Sequence, residues 1–226
     1  MRALTPLSRS VLLVVVLTAS GASWAQPYGY SINSRGYSTD DSLVQALWRI
    51  DLATGEESYV GWTGRGDYID IEGLASNAEN ELYGVDDSTH TLVRIGTETG
   101  NAAAVGGSAS NMGIPLGQSM DFGLTFTCSG EMLVSAAGSG ELYRGDPETG
   151  RLELLGSLGV PIVDMAAIGD RIYGIGKGTD RDGDPVTPNL YRIDPEGPAA
   201  ELIGALGSEA SAYNQAGLAA DAEGKL

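Results

Sequence analysis

The chain is predicted to be all-β, made of four-stranded antiparallel units set side by side, and three observations lead there. A sixteen-residue phrase recurs four times, as ALWRIDLATGEESYVG (46–61), TLVRIGTETGNAAAVG (91–106), ELYRGDPETGRLELLG (141–156) and NLYRIDPEGPAAELIG (189–204). Its leading leucines, Leu47, Leu92, Leu142 and Leu190, stand about 45–50 residues apart, a period that marks a stacked or radial repeat. Short alternating runs rich in β-branched and aromatic residues lie between Gly, Asn and Asp clusters, with no long helical pattern to make parallel crossovers. Four antiparallel strands at a period in the forties describe a β-propeller blade.

The first 25 residues read as a secretory signal peptide. Arg2 and Arg9 are its basic start, VLLVVVL (11–17) its apolar core and Ala22-Ser23-Trp24-Ala25 its small-residue cleavage site. The apolar run is far shorter than the roughly 20 residues needed to span a bilayer. No Cys follows it to carry a lipid, so no membrane anchor is expected. Residues 26–226 form one predicted domain, exported to the periplasm or beyond the cell. The formal charge of −17 becomes more negative once Arg2 and Arg9 are removed. Such a surface repels phosphate backbones and anionic lipid, which speaks against nucleic-acid partners. It suits solubility and cation binding.

Each element follows from local pattern. PYGYSINSRG (27–36) reads as a second strand, comparable with LYGVD (82–86). The second unit runs IDIEGLAS (69–76), LYGVD (82–86), TLVRIG (91–96) and AAAVGG (102–107). The third runs MDFGLTFT (120–127), MLVSAA (132–137), ELYRGD (141–146) and LELLG (152–156). The fourth runs VDMAAI (163–168), RIYGIG (171–176), NLYRID (189–194) and AELIG (200–204). The pairs Thr54-Gly55, Thr99-Gly100 and Thr149-Gly150, with Glu196-Gly197 in the fourth unit, suit hairpins that need a positive φ at their last turn position. GLAADAEGKL (217–226) matches GLASNAENEL (73–82), a first strand and its turn. The N-terminal and C-terminal strands are therefore expected to complete one blade between them, giving about four blades. The alternative is a fragment of a larger propeller, since six to eight blades would need roughly 270–390 residues.

The LYRIDP strand, with a Thr-Gly turn and a short apolar strand ending in Gly, resembles the secreted bacterial β-propeller repeats of the YVTN/NHL-like and quinoprotein-like superfamily. The resemblance covers nearly the whole of 26–226 and implies a fold. It implies no single activity, because scaffolds, ligand binders and several enzyme types share this repeat.

In a propeller the first strand of each blade lines the central channel. Asp70, Asp121 and Asp164 fall near the start of that strand, Glu72 follows Asp70 by two, and Gln215 holds the equivalent place in the last segment. Asp70, Glu72, Asp121 and Asp164 are the candidate ligand-binding residues. Period-two alternation puts Asp70 and Glu72 on one strand face. Carboxylates that converge on a channel suit a hard cation such as Ca²⁺. The other role open to them, solvated caps at strand starts, is the favoured one. Asp180, Asp182 and Asp184 in TDRDGDPVTP are the candidate metal residues, spaced as in a calcium loop. Pro185 stands where that loop wants Gly, and no bidentate Glu follows. No cofactor is required by this reading, with Ca²⁺ as the only candidate.

Other residues are assigned structural roles. Cys128 has no partner for an internal disulfide and is expected to be buried as a small hydrophobe. His90, the only His, is expected on a surface turn remote from it, which leaves no Cys–His pair. Trp48, Val93, Tyr143 and Tyr191 share one slot and are expected to pack between blades rather than to stack on sugars. Arg49, Arg94, Arg144 and Arg192 recur, and Asp51, Asp146 and Asp194 follow by two, as a repeated ion pair or turn hydrogen bond. No G-x-S-x-G, H-E-x-x-H, phosphate loop or CxxC pair is present. The leading expectation is an exported binding module for an unknown protein or small molecule. The runner-up is a divalent-cation-dependent hydrolase or lactonase-like enzyme using the channel acids. A third is a truncated, non-functional relative.

Overall fold

The computed structural model describes residues 28–32, 45–63, 67–116, 120–177, 188–208, 210, 217–220 and 224–226. Four antiparallel sheets follow one another along the chain as the four blades of a β-propeller. The first holds β1 (Tyr28–Ile32), β2 (Ala46–Asp51) and β3 (Glu57–Trp62). The second holds β4 (Ile71–Ser76), β5 (Leu82–Asp86), β6 (Thr91–Ile95) and β7 (Ala102–Ala104), with a 3₁₀ turn over Val105–Gly107. The third holds β8 (Phe122–Phe126), β9 (Met132–Ala136), β10 (Glu141–Gly145) and β11 (Leu152–Ser157). The fourth holds β12 (Ile162–Ile168), β13 (Arg171–Gly176), β14 (Asn189–Asp194) and β15 (Ala199–Ala205). Neighbours in sequence are neighbours in each sheet, so every connection within a blade is a simple reversal. The proposed signal segment, residues 1–25, lies outside the described residues. No helix among the described residues is long and apolar enough to cross a membrane.

The recurring phrase is the hairpin between the third and fourth strands, or their counterparts in the first sheet. Asp51 Oδ1 accepts from the amides of Ala53 (2.8 Å) and Thr54 (3.2 Å). Asp146 Oδ1 accepts from Glu148 N (2.9 Å), and Asp194 Oδ1 from Glu196 N (3.0 Å). These aspartates therefore serve the turn. The arginines pair elsewhere: Arg94 with Glu81 at 3.1 Å, Arg144 with Glu131 at 2.6 Å, and Arg192 with Glu201. Gly55, Gly100 and Gly150 take φ of +74°, +74° and +80°, the left-handed geometry such a turn needs. The β2–β3, β10–β11 and β14–β15 hairpins share one irregularity. Register shifts fall between Leu47 and Trp48, Leu142 and Tyr143, and Leu190 and Tyr191. Replacing Asp146 by Ala removes a local turn bond and is expected to cost about 1 kcal/mol. That corresponds to roughly 2–4 °C in a thermal melt followed by circular dichroism.

The core lies between sheets, so inner strands such as β5 and β9 bury both faces. Leu47 of the first sheet packs with Ile71, Leu82, Val93 and Ile95 of the second. Tyr83, Val85 and Leu92 of the second meet Phe122, Leu124, Met132 and Val134 of the third. Leu133, Leu142 and Leu158 of the third meet Ile162, Met165, Ile172 and Ile193 of the fourth. The leading leucines Leu47, Leu92 and Leu142 are fully buried because each faces the next sheet, whereas Leu190 is only partly covered. Of the shared aromatic slot, Val93 and Tyr143 are buried, while Trp48 and Tyr191 are half-buried. Trp48 stacks edge-on against Tyr59 at 5.6 Å.

Two side chains sit opposite to expectation. His90 is buried, at 1% exposure, because residues 109–114 fold over its turn. Ser110 Oγ donates to Thr89 O at 3.0 Å, His90 Nδ1 lies 3.3 Å from Ile114 O, and the ring meets Phe122 edge-on. Cys128 is exposed, because it lies in the reversal between β8 and β9 rather than on either strand.

Candidate functional site

The first strands β4, β8 and β12 run beside one another at the centre, as close approach of glycine backbone permits. A Cβ on Gly73 would stand 2.8 Å from Phe122 O, and one on Gly123 would stand 2.6 Å from Asp164 Cα. Around them opens a cavity of about 420 Å³. Its walls come from β1 (Tyr30, Ile32), β4 (Ile71, Glu72, Leu74), the start of β8 (Asp121, Phe122), β12 (Val163, Asp164) and the C-terminal segment Gly217–Ala219. That segment is in no strand ladder at 217–220. It occupies the place beside β1 and β12 where the sequence pattern put a first strand.

Three of the four candidate acids come together here, and each is tied to a neighbouring element. Glu72 Oε2 accepts from Phe122 N of the third sheet at 3.0 Å. Asp121, in left-handed geometry at φ +48°, accepts from Lys177 Nζ of the fourth sheet at 2.7 Å. Asp164 is 8% exposed; Oδ1 accepts from Met165 N at 2.9 Å and Oδ2 from Leu218 N at 2.7 Å. Burial pushes the Glu72 carboxyl up to about 8, and the charge of Asp121 adds to that. Burial likewise pushes Asp164 up to about 7, against the lowering effect of its backbone N–H donors, Leu218 first. Glu72 and Asp121 are therefore joints between blades, and Asp164 ties the fourth sheet to the C-terminal segment.

Asp70 is not in this group. It precedes β4 and belongs to a turn: its amide donates to Asp86 Oδ1 at 2.9 Å, and its carbonyl accepts from Asp87 N at 2.9 Å. Asp86 and Asp87, not singled out by the sequence, are buried and do the local binding. Asp86 also accepts from Thr89 N and Oγ1, at 2.9 and 2.6 Å. Asp87 Oδ1 accepts from Met120 N at 3.0 Å, joining the second sheet to the third. The DDSTH stretch carries that signal, since paired acids before Ser-Thr make a side-chain-capped turn. Lys177 carried no positional signal beyond its rarity. Asp180, Asp182, Asp184 and Gln215 lie outside the described residues. Among the described residues no three His, Cys, Asp or Glu side chains are grouped to hold a metal.

No protein-family model matches the chain, and no curated protein does. Solved structures do. A structural-genomics protein of unknown function from Bacteroides thetaiotaomicron aligns at TM-score 0.52 and 16% identity, over 73% of this chain and 42% of its own. A nidogen/laminin complex aligns at TM-score 0.54 and 14% identity, over 80% of this chain and 64% of its own. A streptogramin B lyase aligns at TM-score 0.47 and 10% identity, over 79% and 53%. The chain thus spans less than two thirds of the length of each. At these identities the likeness is one of fold, and the fold is the β-propeller.

Proposed function

We propose that this chain is an exported β-propeller that acts as a binding module, with the channel cavity as its site. The cavity carries the reading. It is the size of a small-ligand pocket, and its walls set the apolar side chains of Tyr30, Ile32, Leu74, Phe122, Val163 and Leu218 beside the polar groups of Ser31, Glu72, Asp121 and Asp164. Glu72 and Asp121 each bond a neighbouring sheet, and Asp164 bonds the amides of Met165 and Leu218, which favours a structural over a catalytic use. The ligand class that suits such walls is a small molecule with an apolar body and a polar group, either free or as a partner protein's side chain.

Ser31 is exposed, lines the cavity and lies outside the core clusters, so Ser31→Trp fills the site without disturbing the blades. The neutral fluorophore N-phenyl-1-naphthylamine is expected to brighten on mixing with the protein. Ser31→Trp is expected to reduce that gain severalfold with little change in melting. Equal brightening of both proteins would place the probe elsewhere and remove the basis for the reading. Cell fractionation tests the export.

One observation favours the hydrolase reading. Burial raises the Glu72 carboxyl to about 8, and a carboxyl that keeps its proton near neutrality can serve as a general acid. Turnover of an ester or lactone that is abolished by Glu72→Gln, in a protein that still melts normally, would move the assignment to that class.

A further inference from the structure

The C-terminal wall of the cavity differs from the others in how it is held. β4, β8 and β12 are each locked into a ladder with the next strand of their own sheet. Residues 217–220 are in no ladder. Among the described residues, Leu218 fastens them to the blades: its N–H donates to Asp164 Oδ2, and its side chain packs against Ala137, Val163 and Ile175. Gly217, Leu218 and Ala219 nevertheless form one side of the cavity, facing Tyr30, Ser31 and Ile32 of β1.

We propose that Gly217–Ala220 is a strap over the channel cavity, latched by Asp164, whose release admits a ligand. The physical case is one of unequal fastening. A segment outside any ladder, fastened among the described residues by the Leu218 hydrogen bond and side chain, opens at far lower cost than a laddered strand and without the blades separating. The latch itself is well made. Asp164 is almost wholly buried, and its carboxyl relies on the amides of Leu218, Met165 and Leu124 for hydrogen bonds. Detaching the strap exposes that carboxyl to water, so the open state is solvated rather than left with a buried unpaired group. Opening also removes the wall that Leu218 provides and widens the mouth between β1 and β12. This gating rests on the cavity being the binding site, whereas the latch does not.

Hydrogen exchange on the intact protein reads the strap without any ligand. The amides of Leu218 and Ala219 are expected to exchange well before those of Leu124 and Val134 in the core. Asp164→Ala is expected to quicken Leu218 exchange roughly tenfold or more while Val134 stays as it was. Leu218→Ala, which keeps the latch and thins the packing, should act in the same direction. Exchange of 218–220 together with Val134, or at a rate indifferent to Asp164→Ala and Leu218→Ala, would overturn the strap. N-phenyl-1-naphthylamine association, followed by stopped flow, is expected to speed up in both variants. A freed strap with unchanged association would overturn the gating while leaving the latch. A freed strap with no probe binding in any form would count against the cavity as a site instead.

Discussion

Gly123→Ala is expected to destabilise the protein by about 3 kcal/mol, at the upper end of overpacking costs, and Gly123→Val by more. The added Cβ would stand 2.6 Å from Asp164 Cα and 2.6 Å from Ser135 Oγ, with the Asp164 carbonyl carbon at 3.1 Å. Two of those three neighbours are backbone of the next blade, which cannot turn aside as a side chain can. Gly123 is not in the left-handed region, so the cost is steric rather than conformational. The control is Gly204→Ala, where nothing lies within 4 Å and φ is ordinary; it is expected to be close to neutral. Urea melts of the two variants check this directly. Equal midpoints would mean that β8 and β12 are not as close as described, and the cavity between them would be drawn wrongly.

Stability is expected to rise as pH falls from about 9 to about 5. Glu72 moves from an ordinary 4.5 to about 8 in the folded chain, and Asp164 from 3.8 to about 7. Both groups therefore bind protons more tightly folded than unfolded. Across the interval between their unfolded and folded values the native state carries the extra protons, and raising the pH costs stability until both are ionised. For Glu72 the change is on the order of 2–4 kcal/mol, at about 1.4 kcal/mol per unit and reduced for its partial exposure. Glu81 and Asp146 are shifted downward by hydrogen bonds, so they act in the opposite sense and only below about pH 4.5. A maximum near pH 5 follows. Glu72→Gln keeps an oxygen for Phe122 N and cannot ionise. It is expected to melt higher than the parent at pH 8.5 and close to it at pH 5. Parallel pH profiles for the two proteins would show that general repulsion among the acidic residues, rather than this buried carboxyl, sets the dependence.

Most of the blade architecture was legible in the chain because it is written in short-range terms. Alternation marked β5, β13 and β14 to the residue, and β4 and β8 within two residues at their starts. The Asp-to-Gly turns were legible for the same reason, since Asp146 bonds amides only two and three positions away. The site was legible in part. Channel position picked out Glu72, Asp121 and Asp164, but it could not exclude Asp70, whose strand begins two residues later than the pattern suggested.

The period, the strand order, the hairpin chemistry and the acids of the first strands can be read from the chain alone, since all follow from residues within a few positions of one another. What those acids hold depends on packing between distant parts of the chain. Phe122 N is 50 residues from Glu72, Lys177 is 56 from Asp121, and Leu218 N is 54 from Asp164. That packing also decided that His90 is covered, that Cys128 is open, and that 217–220 lies along the channel without a ladder. The reason is common to all of these. Burial in a propeller is supplied by the next blade, about 50 residues along, and local periodicity carries no record of which side chain that neighbour will meet.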